Sequence, residues 1–272
     1  MHRLRRLRRY LPDAGNCSAV IVHPETGLCR AVQARFPFYE PMKTYEQLRP
    51  GIFLCQDADQ ALKLTTDALL LAYFTRPSRH SRIADLGCGA GAVSLLLCAS
   101  DPTYTVTGIE QSATACALAL DGCRKSGLES RFSIRQGDLR QIRVLSSPGN
   151  FDWVVCNPPY FPAGNNPDPI RTESGCTLDE VCTAAAWLLK NGGSLSLVYR
   201  PERLVDLIVC LRQHRLEPKQ IQFVRHLVGS PVSLVLLSAR LGGRPGLIYR
   251  PDLILYRDDG TPTEVYRAAC GL

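Results

Sequence analysis

The stretch "RIADLGCGAGAVSLLLCAS", residues 82–100, leaves a chain few choices. A short apolar run meets three glycines at alternating positions and then an apolar helical pattern. Gly87, Gly89 and Gly91 fall where the backbone must turn sharply and can approach a ligand closely. A strand, a tight turn and a helix in this order form the repeating unit of a parallel sheet with crossover helices.

The following sequence continues the alternation. "TYTVTGIE" reads as a second strand, "SATACALALDGCRKSG" as a helix closed by Gly127, and "RFSIRQGD" as a third strand. "FDWVVCNPPY" is a fourth strand, and "TLDEVCTAAAWLLKNGG" a helix capped by Thr177 with glycines just past its end. "SLSLVYR" is a fifth strand, followed by a helix that opens on Pro201. "QIQFVRHL" and "VSLVLLSARL" are further strand-like segments, and "LTTDALLLAYF" upstream reads as a helix with Thr65 or Thr66 as N-cap. The expected fold is α/β, doubly wound and Rossmann-like, with a mostly parallel sheet. The 272 residues suit one large domain at 44–272. Residues 1–43, with the arginine run "RLRRLRR" and Pro/Gly punctuation, read as a basic N-terminal extension.

Composition narrows the function classes. Net charge is +7, from 32 Lys+Arg against 25 Asp+Glu, a modest pointer to a polyanionic partner. Twelve cysteines are scattered through apolar runs such as "SLLLCAS" and "LIVCL", with no C-x-x-C pair. They read as buried, reduced thiols of a cytoplasmic protein, and the usual zinc-ligand spacings are missing, so no metal is expected. No apolar run has bilayer-spanning length, and no membrane partner is expected.

The chemistry gathers at strand ends. "DLGCGAG" lacks the G-x-G-x-x-G of dinucleotide sites and the Lys-Ser/Thr of a phosphate-binding P-loop. Glu110 ends the second strand, at the position from which an acid reaches a ribose diol, and a carboxylate can accept from both hydroxyls. Asp138 ends the third strand, within reach of an adenine amino group. Ligands of such sheets bind beyond the carboxyl ends of the strands, so Asp85, Gly87, Gly89, Gly91, Glu110 and Asp138 should face one crevice and favour a nucleoside. The fourth strand stops at Asn157, Pro158, Pro159 and Tyr160, because prolines cannot continue a central strand. The Asn157 side-chain oxygen and the Pro158 carbonyl can accept the two N–H bonds of an exocyclic amine, and Tyr160 offers a stacking face for a flat base.

Taken together, Asp85 to Gly91, Glu110, Asp138 and "NPPY" resemble the class I S-adenosylmethionine-dependent methyltransferases. The resemblance implies a seven-stranded sheet with its last strand antiparallel and S-adenosylmethionine as cofactor. It implies that the glycine loop lies beside the methionine part, Glu110 on the ribose and Asp138 on the adenine. Within that family, Tyr45 to Tyr266 resembles the tRNA (adenine-N6)-methyltransferases, on "LTTDALLLA", "RTESGCTLDEVCTAAAWLLKNGGSLSLVYRPERL", "EPKQIQFV" and "GGRPGL". This implies a tRNA partner, with methyl transfer to the adenine beside the anticodon of a valine tRNA. It also implies a first helix carrying Thr66 and Asp67 near the cofactor. The catalytic tip alone leaves other acceptors open: the glutamine amide of peptide release factors, or a ribosomal RNA base. A non-catalytic cofactor- or RNA-binding module is the reading of another class. Arg225, Arg240, Arg244, Arg250 and Arg257 suit RNA phosphates through their bidentate forks, and equally suit solvent.

Overall fold

Residues 19–22, 29–32, 43–57, 64–158 and 176–271 are described by the structure, a computed structural model. By contacts the chain divides into two compact units, Met1–Pro41 and Met42–Leu272. Within the first, β1 (Ala19–Val22) and β2 (Cys29–Val32) pair antiparallel, Ala19 opposite Val32, where the sequence pattern suggested no regular element.

The second unit opens with a hairpin that the sequence pattern also missed, β3 (Lys43–Arg49) and β4 (Ile52–Asp57). Its β4 strand sits on a later helix, where the Phe53 N–H donates to Ser126 Oγ at 2.8 Å. Next comes α1 (Thr66–Phe74), whose N-cap is Thr65, its hydroxyl oxygen accepting from the Ala68 N–H. The helix is buried on most sides, from Ala68 to Ala72 and at Phe74.

The expected alternation then appears: β5 (Arg82–Leu86), α2 (Ala92–Ser100), β6 (Thr105–Glu110), α3 (Ala113–Lys125) and β7 (Phe132–Gln136). Gly127 closes α3 in the left-handed conformation. A single 3-10 turn and the short α4 (Ile142–Leu145) lead to β8 (Phe151–Cys156). Then follow α5 (Leu178–Leu188), β9 (Leu189–Tyr199), α6 (Leu204–Gln213), β10 (Leu216–Arg225) and β11 (Val232–Leu241). The chain closes on β12 (Ile248–Ile254) and α7 (Glu264–Cys270).

Eight strands make one sheet in the order β12-β10-β11-β9-β8-β5-β6-β7. All pairings are parallel except those of β11, which runs antiparallel to both β9 and β10. The family resemblance implied seven strands; the eighth, β12, adds to the outer edge beside β10. Central strands β5 and β8 are apolar on both faces, with Ile83, Ala84, Leu86, Val154 and Val155 all shut off from solvent. The helices α1, α2, α3 and α7 pack as one group, and α4, α5 and α6 as another.

One boundary differs from the sequence reading. Gly192 and Gly193 do not follow α5 as a free turn, because β9 begins directly at Leu189. The register jumps from Phe151↔Leu189 to Trp153↔Ser194, so the glycines lie in a bulge, Gly192 at a φ of 79°. Lys190 crosses this bulge to Asp152 at 2.6 Å.

Candidate functional site

The crossover order reverses beside β5: the chain goes from β5 outward to β6 and β7, then returns to β8 on the other side. Such a reversal opens a crevice at the carboxyl ends of the strands. Register fixes what lines it. Leu86 pairs with both Ile109 and Cys156, and Glu110 pairs with Gln136. Gly87, Glu110, Gly137 and Asn157 therefore leave adjacent strands along one edge. From β8 to β7 is three strand spacings, about 14 Å in all, enough for an extended nucleoside with an amino-acid tail.

The glycine turn is built by close approach. Gly87, Gly89 and Gly91 have φ of 65°, 54° and 86°, a region L side chains rarely enter. The Gly87 N–H donates to Ile109 O at 2.9 Å, drawing the turn onto β6. At Gly108 on β6, an added Cβ would stand 2.5 Å from Cys88 Sγ, so only glycine lets the turn lie that close. Gly91 then caps α2, and the helix's free N–H groups face the crevice.

Glu110 is fastened to this turn. Its Oε2 accepts from the Gly89 N–H at 2.9 Å and its Oε1 from the Ser112 N–H at 2.8 Å. A carboxylate offers about four lone-pair directions, so two remain for a ligand diol. The Gly137 N–H donates to Glu110 O at 2.8 Å, which brings Asp138 beside Glu110. Asp138 is taken by Arg140: Nε reaches Oδ1 at 3.0 Å and Oδ2 at 2.8 Å. That hydrogen bonding to the Arg140 guanidinium holds the Asp138 carboxyl below its usual range. A hollow of about 300 Å³, lined by Arg140, Val144, Glu180 and Thr183 among others, opens beside it.

Asp85 sits one layer deeper, 2% exposed. Its Oδ2 accepts from Ser94 Oγ on α2 at 2.7 Å. Burial pushes its carboxyl up to about 7, against the Ser94 hydrogen bonds and with the Glu110 charge adding to the rise. Asp85 thus links the end of β5 to α2 beneath the turn. Asn157 and Pro158 follow Cys156 directly, one strand spacing from Gly87. Pro159 and Tyr160 lie outside the described residues. Burial holds the thiols of Cys88 and Cys156 well above their ordinary range, so neither offers a thiolate to the crevice.

Thr66 and Asp67 stand in the first turn of α1. The helix packs against α7, a partner the sequence pattern did not suggest. Of the five arginines read as phosphate ligands, Arg225 is committed to the fold: its Nε lies 2.6 Å from Asp252 Oδ2, and it also donates to Ser230 O. Arg257 lies 3.8 Å from Glu264, and Arg250 lies over the Phe74 ring. Arg240 and Arg244 are exposed.

Residues 47–213 match the family described as "Methyltransferase small domain". The tRNA1(Val) (adenine(37)-N6)-methyltransferase of Porphyromonas gingivalis is 31% identical over 185 residues, 63% of this chain and 72% of that protein. The protein of the same name from Actinobacillus pleuropneumoniae serotype 7 is 26% identical over 213 residues, 76% of this chain and 88% of its own. Among solved structures, a "predicted O-methyltransferase" from Agrobacterium tumefaciens superposes with a TM-score of 0.64 at 24% identity. It covers 75% of this chain and 95% of its own, a likeness of fold.

Proposed function

The chain belongs to the methyltransferase small domain family, and from that premise we propose that it methylates the exocyclic N6 of an adenine in tRNA. S-adenosylmethionine is the cofactor, and when bound it supplies an electrophilic methyl group on a sulfonium. Gly87, Gly89 and Gly91 would hold its methionine part, Glu110 its ribose and Asp138 its adenine. Asp138 has to share its oxygens with Arg140, which already occupies both. Asp85 acts through Ser94 and α2 by positioning the turn.

The observation that carries the reading is the register Leu86↔Cys156, which sets Asn157 beside the glycine turn. An adenine amine is a poor nucleophile because its lone pair is delocalised into the ring. The Asn157 side-chain oxygen and the Pro158 carbonyl would accept its two N–H bonds and turn that lone pair out of the ring plane. The proton leaves for solvent once the nitrogen is cationic, so no strong base is needed. Tyr160 would stack on the base, worth about 1–3 kcal/mol. A base within a folded RNA has to be splayed out to enter. The relatives named as tRNA1(Val) methyltransferases favour tRNA over the other amine acceptors.

The experiment is methyl transfer from labelled S-adenosylmethionine to bulk tRNA and, separately, to a peptide release factor. Label in tRNA that digests to N6-methyladenosine supports the reading. Label in the protein and none in RNA overturns it. Asn157→Ala should abolish transfer and leave cofactor affinity within about twofold, since the side chain acts on the amine alone.

A further inference from the structure

We infer that the facing surfaces of α5 and α6 form a zinc-type cation site built from Asp179, Cys182, Cys210 and His214. The two residues on α5 are three apart and the two on α6 four apart, so each pair shares one helix face. The α6 pair includes its C-cap, His214. The ligand atoms of Asp179, Cys210 and His214 all lie within 4.8 Å of one another. His214 Nε2 is 2.8 Å from Asp179 Oδ1, and Cys182 lies one turn along α5 from Asp179, on the same face.

The donor set is the one zinc takes: two sulfurs, an imidazole nitrogen and a carboxylate oxygen. Tetrahedral bonds of about 2.0–2.3 Å put ligand atoms about 3.3–3.8 Å apart, so Asp179, Cys210 and His214 would close by about 1.5 Å at most, and the Cys182 side chain would turn in from the same face of α5 to complete the set. Burial is graded across it. Cys182 is sealed, Cys210 is 9% exposed, His214 is half-buried and Asp179 is exposed. This leaves an entry path on the Asp179 side. Binding a dication would release both thiol protons to solvent. Two thiolates, one carboxylate and a neutral imidazole then leave the site with a single net negative charge.

Position gives the site a role. The α5 helix packs on β8, whose last residue, Cys156, precedes Asn157. A cation here would fasten α5 to α6 behind the strand end that presents Asn157. The sequence hid it because Asp179 stands where a C-x-x-C motif would place a cysteine, and the second pair comes from another helix.

The full chain, expressed with zinc and purified without chelator, should carry about one zinc by elemental mass spectrometry. Cys210→Ser and His214→Gln should each cut the content at least tenfold, while Cys98→Ser, a buried cysteine outside the cluster, should keep it. Stripped protein titrated with Co²⁺ should develop thiolate charge-transfer absorption and the intense visible bands of a tetrahedral site. Cys210→Ser, with unchanged circular dichroism, should lack both. Three results would each overturn the site. One is a zinc-free chain with no cobalt bands. Another is zinc retained by the Cys210→Ser/His214→Gln double variant. The third is a native mass showing Cys182 and Cys210 oxidised to a disulfide, with cobalt excluded until it is reduced and still no bands afterwards.

Discussion

Replacing Asp85 with asparagine should change how stability depends on pH. Burial raises the Asp85 carboxyl from 3.8 to about 7 in the folded chain. The folded state therefore holds this proton more tightly than the unfolded state does. The stability that the proton confers is fully present below pH 3.8, falls as pH rises, and is gone above about 7. Each tenfold gain in proton affinity is worth about 1.4 kcal/mol, so the whole window amounts to about 4 kcal/mol, and the part between about pH 5 and about pH 8 to about 3 kcal/mol. Asparagine carries no charge at any of these pH values and keeps an oxygen for the Ser94 hydroxyl. Urea unfolding of cofactor-free wild type and Asp85→Asn, compared across that range, cancels every other titrating group. The variant should gain on the wild type by about 3 kcal/mol from the acid to the alkaline end. If the two stability curves run parallel, Asp85 does not hold a raised pKa, and the account of its burial under the turn is wrong.

Two further perturbations test the turn and the hairpin. Glu110→Gln replaces one acceptor oxygen with an NH₂ group that must face either the Gly89 or the Ser112 N–H. The loss of one charge-assisted bond, about 1.5–3 kcal/mol, should weaken S-adenosylmethionine binding about 10- to 100-fold by calorimetry, and an unchanged affinity would remove Glu110 from the cofactor site. In Gly122→Ala, the new Cβ would stand 2.8 Å from Phe53 O and 3.3 Å from Cys55 N, both backbone atoms of the hairpin strand. Despite alanine's better helix propensity, the chain should lose about 1–3 kcal/mol in denaturant unfolding. A more stable variant would mean that β4 does not seat on α3.

Much of the frame could be read along the chain because its causes are local. Thr65, Ser112 and Thr177 all act as N-caps, each accepting from an N–H three residues on. The apolar runs at Ile83 to Leu86 and Val154 to Cys156 became the central strands that their composition suggested. Other features escaped for reasons equally physical. The residues of β3 are mostly exposed and polar, so no alternation announced it; pairing with β4 and the seat on α3 make it a strand. β12 contains Pro251 and exposed Ile248 and Tyr249, a pattern that announces no strand, yet an edge strand tolerates proline. Arg225 looked like a phosphate ligand until β12 brought Asp252 to it.

The sequence by itself determined the glycine turn, the helix caps and the break at Asn157, because positive φ, capping bonds and missing proline donors act within a few residues. Tertiary structure alone decided the sheet order, the Leu86↔Cys156 register and the meeting of Asp179, Cys210 and His214. Those depend on which apolar faces bury against each other across tens of residues, an interaction without direction along the chain.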